Sequence, residues 1–268
     1  MERDQAILEM VKAVYEDVLP VSGPARHPIW EKGWGENLNA FKPEQVGREI
    51  AKPHYFNKYP IVRWGGDIFL AESEDYEYNM LAVIQDWLFD RHLRSARHVY
   101  EFGCGTGHNL FRVRDINPTT KLCGADWSQS AVEFISLQAR HGATHSLSSV
   151  RFDFFNPSGL KLEPKAAAYT VAALEQVGTQ FEPFVNWLIS QSPSIVLHIE
   201  PIGEVLDENV LLDRLSLRYF SKRNYLQGYL AHLQGLERAG RVKLHDVVRT
   251  RIGSKFIEGY TAIVWSPL

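Results

Sequence analysis

Three glycines at alternate positions follow a short apolar run in Val99-Tyr100-Glu101-Phe102-Gly103-Cys104-Gly105-Thr106-Gly107-His108-Asn109. Glycine there lets the backbone turn sharply off a strand and approach a ligand with no Cβ in the way. The spacing narrows the ligand. A dinucleotide fingerprint needs its third glycine three positions after the second, where His108 stands, and a phosphate-binding P-loop ends in Gly-Lys-Ser/Thr, whereas this loop holds no lysine. What remains is a Glu-x-Gly-x-Gly-x-Gly turn, suited to a ligand without a pyrophosphate. About twenty residues further on, Cys123-Gly124-Ala125-Asp126-Trp127-Ser128 sets an acid at the tip of a second strand, where a carboxylate can accept both hydroxyls of a ribose. Trp127 offers a face for an adenine, and Ser128 can cap the next helix. Asp153, at the end of a third strand with Phe154 beside it, is placed to accept from an adenine amino group.

These residues need a scaffold, and the second part of the chain supplies its pattern. Strands are expected at His98–Phe102, Lys121–Ala125, Ser149–Asp153, Ala167–Val171 and Ser194–Ile199, with helices around Leu110, at Ser130–Arg140 and at Phe181–Ser190. Such alternation predicts an α/β fold, a Rossmann-like, mostly parallel sheet with helices on both faces. Asp207–Ala239 reads as one long or broken helix, and Val242–Thr250 with Phe256–Trp265 as an antiparallel hairpin around Gly253. The chain therefore divides into a helical, loop-rich extension, residues 1–95, and a ligand-binding domain, residues 96–268. In the extension, Ile7 to Val18 repeats at helical spacing until Pro20, and Ser73 can cap a helix with Tyr76, Met80, Val83, Ile84, Trp87 and Leu88 on one face. Between them, Val21–Asp67 is punctuated by prolines and carries Trp30, Trp34, Phe41, Tyr55, Phe56, Tyr59 and Trp64. It is expected to be a lid.

Composition excludes several classes. The 268 residues are 45% hydrophobic and 23% charged, which is typical of globular chains. The net charge of −3 gives no basic excess for gripping nucleic acid. No apolar run is long enough to cross a bilayer, and the start, Met-Glu-Arg-Asp, is not a secretory signal. Cys104 and Cys123 form neither a disulfide framework nor a metal knuckle. A cytoplasmic protein is expected.

Taken together, these motifs resemble the class I S-adenosylmethionine-dependent methyltransferases over roughly residues 96 to 200, and the terminal hairpin fits that family's seven-stranded sheet. The resemblance implies S-adenosyl-L-methionine as cofactor. It implies Glu101, Gly103, Gly105, Gly107 and Asn109 at its methionine part, Asp126 and Trp127 at its ribose and adenine, and Asp153 and Phe154 in the adenine pocket. Thr170-Val171-Ala172-Ala173-Leu174-Glu175-Gln176 is similar to the family's fourth motif, where Ala172 would lie beside the sulfonium. Methyl transfer mainly requires alignment and exclusion of water, with a base only where the acceptor must lose a proton. The candidates for that work are Glu175, His198 and Glu200; alternation puts the last two on one face of their strand.

The fourth motif lacks the Asn/Asp-Pro-Pro-Tyr/Phe of nucleic-acid amino-methyltransferases, and Ala172 and Pro201 are poor metal ligands, so neither a nucleic-acid partner nor a metal is expected. The expected acceptor is a small molecule, a sugar or another hydroxylated metabolite, methylated at oxygen or nitrogen. A nucleic-acid or protein methyltransferase, and a non-catalytic cofactor-binding subunit, stay open as alternatives. Arg63, in Arg63-Trp64-Gly65-Gly66-Asp67, is a candidate partner for a carboxylate. The basic, aromatic run Arg214, Arg218, Tyr219, Lys222, Arg223, Tyr225, Tyr229 is a candidate face for an anionic or sugar substrate.

Overall fold

Ile195-Val196-Leu197-His198-Ile199-Glu200 is dominated by branched aliphatic residues, as a strand covered on both sides requires, with His198 and Glu200 the polar exceptions on one face. From Val196 onward every one of these residues is buried. Such strands build the centre of the protein, seen in a computed structural model that describes residues 3–53, 59–142 and 146–268. The aromatic residues Tyr55 and Phe56 lie outside the described residues.

In chain order the helices are α1 (Arg3–Tyr15), α2 (His27–Asn39), α3 (Arg48–Ala51), α4 (Tyr76–Leu93), α5 (His108–Ile116), α6 (Gln129–His141), α7 (Glu182–Gln191), α8 (Leu211–Arg223) and α9 (Tyr229–Arg238). The strands are β1 (Ile61–Trp64), β2 (Asp67–Leu70), β3 (His98–Phe102), β4 (Lys121–Asp126), β5 (Leu147–Arg151), β6 (Ala167–Val171), β7 (Ile195–Glu200), β8 (Val242–Val248), β9 (Ile252–Ser254) and β10 (Thr261–Pro267). Seven of them form one sheet in the order β5-β4-β3-β6-β7-β10-β8. β10 runs antiparallel to both of its neighbours, and the strands from β5 to β7 are parallel. The expected fold class is the observed one. The order reverses at β3, whose neighbours are β4 and β6, so a crevice opens there at the carboxyl ends of the strands.

The core lies in two layers, one per face. Phe102, Phe152, Phe184, Tyr229 and Trp265 fill one side; Leu88, Phe89, Leu110, Tyr169 and Leu197 fill the other. A third cluster joins Met10 and Val14 of α1 to Ile61 and Leu215.

Asp207–Ala239 holds a broken helix, one of its two expected forms: α8 ends at Asn224, whose φ of 51° is left-handed, and α9 follows. Three details depart from the sequence reading. β5 ends at Arg151, two residues before the expected Asp153. On α4 the buried stripe runs through Leu81, Ile84, Gln85, Leu88 and Phe89, leaving Val83 and Trp87 exposed; Ser73 does not cap it, its hydroxyl accepting from the Asp75 amide instead. Within the proline-rich stretch, β1 and β2 form an antiparallel hairpin, and β9 adds to β1 as a third strand. Gly253 therefore belongs to a strand rather than to a hairpin turn. No described helix is long and apolar enough to cross a membrane.

Candidate active site

The glycine loop leaves β3 with Gly103, Gly105 and Gly107 all at positive φ, 69°, 51° and 75°. Two of them are also needed for space. A Cβ on Gly103 would overlap the Cβ of Ala173, and one on Gly105 would stand 2.6 Å from the indole of Trp34. Asp126, the last residue of β4, clasps this loop. Its Oδ2 accepts from the Gly105 amide at 2.8 Å and its Oδ1 from the Ser128 amide at 2.9 Å. The side chain is buried, which pushes its carboxyl up to about 6 although both amides act in the other direction. Ser128 caps α6 as expected, accepting from the Ala131 amide at 3.2 Å.

Beyond the loop, a cleft of about 520 Å³ opens between the ends of β4 and β5, lined by Pro24, His27, Trp127, Arg151, Asp153 and Phe155 among others. The rings of Trp127 and Phe155 stand 6.3 Å apart, and His27 meets Trp127 edge-on at 5.1 Å. Asp153 uses one oxygen to accept from the Phe155 amide at 2.9 Å. Phe154, the aromatic expected here, turns inward and packs on Phe184 at 4.6 Å beneath Gly103. Phe155 takes the wall position. The shift follows from the early end of β5, because the chain is already turning when it reaches these residues.

Glu101 and Asn109 sit beneath the loop in a buried chain of hydrogen bonds. Asn109 donates to Glu101 Oε1 at 2.7 Å, Tyr169 to Oε2 at 3.0 Å, and Gln85 to Asn109 Oδ1 at 2.8 Å. Burial raises the Glu101 carboxyl to about 8. The network ties β3, β6, α4 and α5 together and fixes the floor of the loop.

The three candidates for acid–base work lie close together but are occupied. His198 is fully buried, its Nδ1 2.8 Å from the Thr170 hydroxyl and its Nε2 2.7 Å from that of Tyr229. Burial lowers it to about 3, so it is neutral. Glu200 is equally buried. Its carboxylate accepts from the amides of Ala173, Leu174 and Glu175 at 3.1–3.2 Å, filling the N-terminal end of the turn Leu174–Val177. Glu175 is hydrogen-bonded to Glu200, and burial together with that neighbouring charge pushes it up to about 8. Ala172, at φ 47°, begins this turn in a conformation that costs a β-carbon residue strain.

Within Val21–Asp67, the stretch expected to be a lid, sequence reading did not find the helix α2, which lies over the glycine loop. Glu31 accepts from the amides of Gln129 and Ser130 and from the Ser130 hydroxyl, locking α2 onto the start of α6. Trp34 covers Gly105 and stacks on Trp30 at 5.8 Å. The spacing of Trp30, Glu31 and Trp34 on one helix face was the available signal. Arg63 is not at the site: it is buried and donates to the carbonyls of Leu212, Phe256 and Lys255. Its guanidinium bonds backbone, which rules out the carboxylate partnership expected of it.

No family model matches the chain, and no curated protein matches it by sequence. Solved structures do. The N-methyltransferase NodS from Bradyrhizobium japonicum, in complex with S-adenosyl-L-homocysteine, superimposes with a TM-score of 0.52 at 10% identity, covering 72% of this chain and 88% of its own. Magnesium protoporphyrin IX methyltransferase from Synechocystis PCC 6803 gives 0.53 at 14% identity, covering 75% of this chain and 90% of its own. This chain has the class I methyltransferase fold. The cyclase SpnF superimposes on it too, with a TM-score of 0.53 at 16% identity over 94% of this chain and 97% of its own. A class I fold thus includes a protein described as a cyclase, and function must be argued from side chains.

Proposed function

We propose that this class I protein transfers a methyl group from S-adenosylmethionine to a small-molecule acceptor, at oxygen or nitrogen. The reading is supported chiefly by one observation: the glycine loop, the Asp126 carboxylate and the aromatic cleft meet at the switch point of the sheet. The groups fit a nucleoside. Trp127 and Phe155 offer faces for a purine, and Asp153 has an oxygen left for an exocyclic amine. Asp126 keeps a second lone pair on each oxygen for ribose hydroxyls. The Gly103–Gly107 backbone leaves room for the sulfur-bearing chain.

When bound, S-adenosylmethionine supplies a methyl group made electrophilic by its positive sulfur. The protein's residues then align and enclose. Glu200 holds the turn that carries Ala172 and Ala173 against Gly103, so we assign it positioning; His198, neutral and hydrogen-bonded at both nitrogens, fixes β7 against β6 and α9. Trp34 and Trp30 keep water from the loop. A hydroxylated metabolite, sugars included, suits this arrangement.

The test is transfer of labelled methyl from S-adenosylmethionine, incubated with the full chain and a small-molecule extract. Label should appear in a small molecule and be lost with Asp126→Ala. Label confined to protein or nucleic acid, or no label above a boiled control, would overturn the reading.

A further inference from the structure

Among the described residues, the guanidiniums of Arg63, Arg249 and Arg112 each bond at least one acceptor, although the Nε of Arg112 has none. Arg63 bonds three carbonyls, Arg249 pairs with Asp213 at 2.7 Å and Glu258 at 2.6 Å, and Arg112 pairs with Asp86 at 2.7 Å. Arg26, at the end of the turn Pro24–Arg26, and Arg223, the last residue of α8, are half-buried and break the pattern. Among the described residues neither side chain has a hydrogen bond or an ion pair, and the Nε of each is sealed from solvent without an acceptor. Both instead lie over aromatic faces. Arg26 stands 5.7 Å from the Trp30 ring; Arg223 stands 5.1 Å from Tyr225 and 5.7 Å from Tyr219.

The two belong to one place. The Ser22 amide donates to the Arg223 carbonyl at 2.7 Å, and the Asn224 side chain donates to the Ser22 carbonyl at 3.2 Å. Asn224 also packs on Gly178, at the end of the turn that follows β6. Three segments therefore converge beside the turn carrying Glu175 and Gln176. Ser22 Oγ, Trp30 Nε1 and Gln176 Oε1 are also buried without partners there. Trp30 stacks on Trp34, which covers Gly105, so the cluster continues directly from the glycine loop.

Unpaired buried polar groups are expensive, and two neighbouring cations add repulsion. After burial, Arg223 is the largest influence lowering the Arg26 guanidinium. Glu175, whose carboxyl interacts with Arg223, does not neutralise it, because burial and the neighbouring Glu200 keep it protonated near neutral pH. An anion between the guanidiniums would satisfy both with charge-assisted bonds.

We propose that Arg26 and Arg223 form an anion clamp and that the acceptor is a hydroxylated aromatic acid, its carboxylate or phosphate drawing the guanidiniums off the rings of Trp30, Tyr219 and Tyr225 that they now cover. That the clamped molecule is the acceptor rests on the methyl-transfer reading; the clamp itself does not. Fluorine NMR of the full chain with para-fluorobenzoate, para-fluorophenyl phosphate and the neutral para-fluorobenzamide tests it, alongside calorimetric binding of S-adenosylhomocysteine. At least one acid should bind, the amide about tenfold or more weaker, and Arg26→Gln and Arg223→Gln should each weaken the acid about tenfold while S-adenosylhomocysteine affinity stays within about twofold. The tighter acid tells carboxylate from phosphate. Equal binding of amide and acids, no binding of either acid, or acid binding unchanged in the variants would overturn the clamp. Arginine-dependent acid binding without S-adenosylhomocysteine binding would leave the clamp standing and remove the methyl-transfer reading.

Discussion

Glu175 and Glu200 are candidates for catalysis in sequence, and in space Glu200 is held by three backbone amides with Glu175 hydrogen-bonded to it. Their spacing after β6 and β7 is legible, but the amides that occupy Glu200 and the burial of Glu175 depend on a turn that sequence periodicity does not describe. The pair predicts a pH effect. Glu175 is raised to about 8 when folded, so its contribution is most favourable below its ordinary value of 4.5 and is lost as pH rises through 8. Glu175→Gln removes that loss and keeps a donor for Glu200. Its melting temperature should exceed that of the wild type by on the order of a few degrees near pH 8.5, the gain shrinking toward pH 4.5. Glu200→Gln should lower it, since three amides lose a charged acceptor. Thermal unfolding across pH checks both, and a constant difference for Glu175→Gln would show that its carboxyl is not perturbed. The aromatic at the cleft was misassigned by one position for a related reason: where β5 ends decides whether Phe154 or Phe155 faces outward, and strand ends are poorly marked in sequence.

Among the elements, the central strands were readable because they are buried on both faces and so appear as short, mostly apolar runs. The small sheet was not. β1 and β2 have four residues each and β9 three, and β9 lies far along the chain from its partner β1. Such long-range pairing leaves no local period to detect. The helix α2 is the element with most bearing on the site. Through Glu31 and Trp34 it covers Asp126 and Gly105, and Asp126 is only 3% exposed beneath it. A nucleoside reaching that carboxylate must displace the roof, so α2 and the residues from Val21 that lead into it should exchange amide hydrogens faster without S-adenosylhomocysteine than with it. Hydrogen exchange by mass spectrometry reads this directly. Equal protection in both states would mean that α2 is a fixed wall and that ligand enters from the Trp127 side.

At the scale of the whole molecule, the sheet order and the position of its reversal place every motif of the proposed cofactor site at one edge, which is why the general location was legible without any side-chain contact. Likeness to solved structures at 10–16% identity carries the fold and leaves the chemistry to these residues. The account stands on Asp126, because backbone glycines can approach many ligands whereas a carboxylate at the end of β4 selects a ribose. Burial holds that carboxyl at about 6. Below that pH it is protonated and loses an acceptor, so affinity should fall as pH drops through about 6 and level off above it. Isothermal titration of the full chain with S-adenosylhomocysteine is the most direct measurement. The account predicts binding with that pH dependence, weakened about tenfold to a hundredfold by Asp126→Ala in a protein that remains folded, and no binding of NAD. Unchanged affinity in folded Asp126→Ala, or binding of NAD in place of S-adenosylhomocysteine, would contradict it.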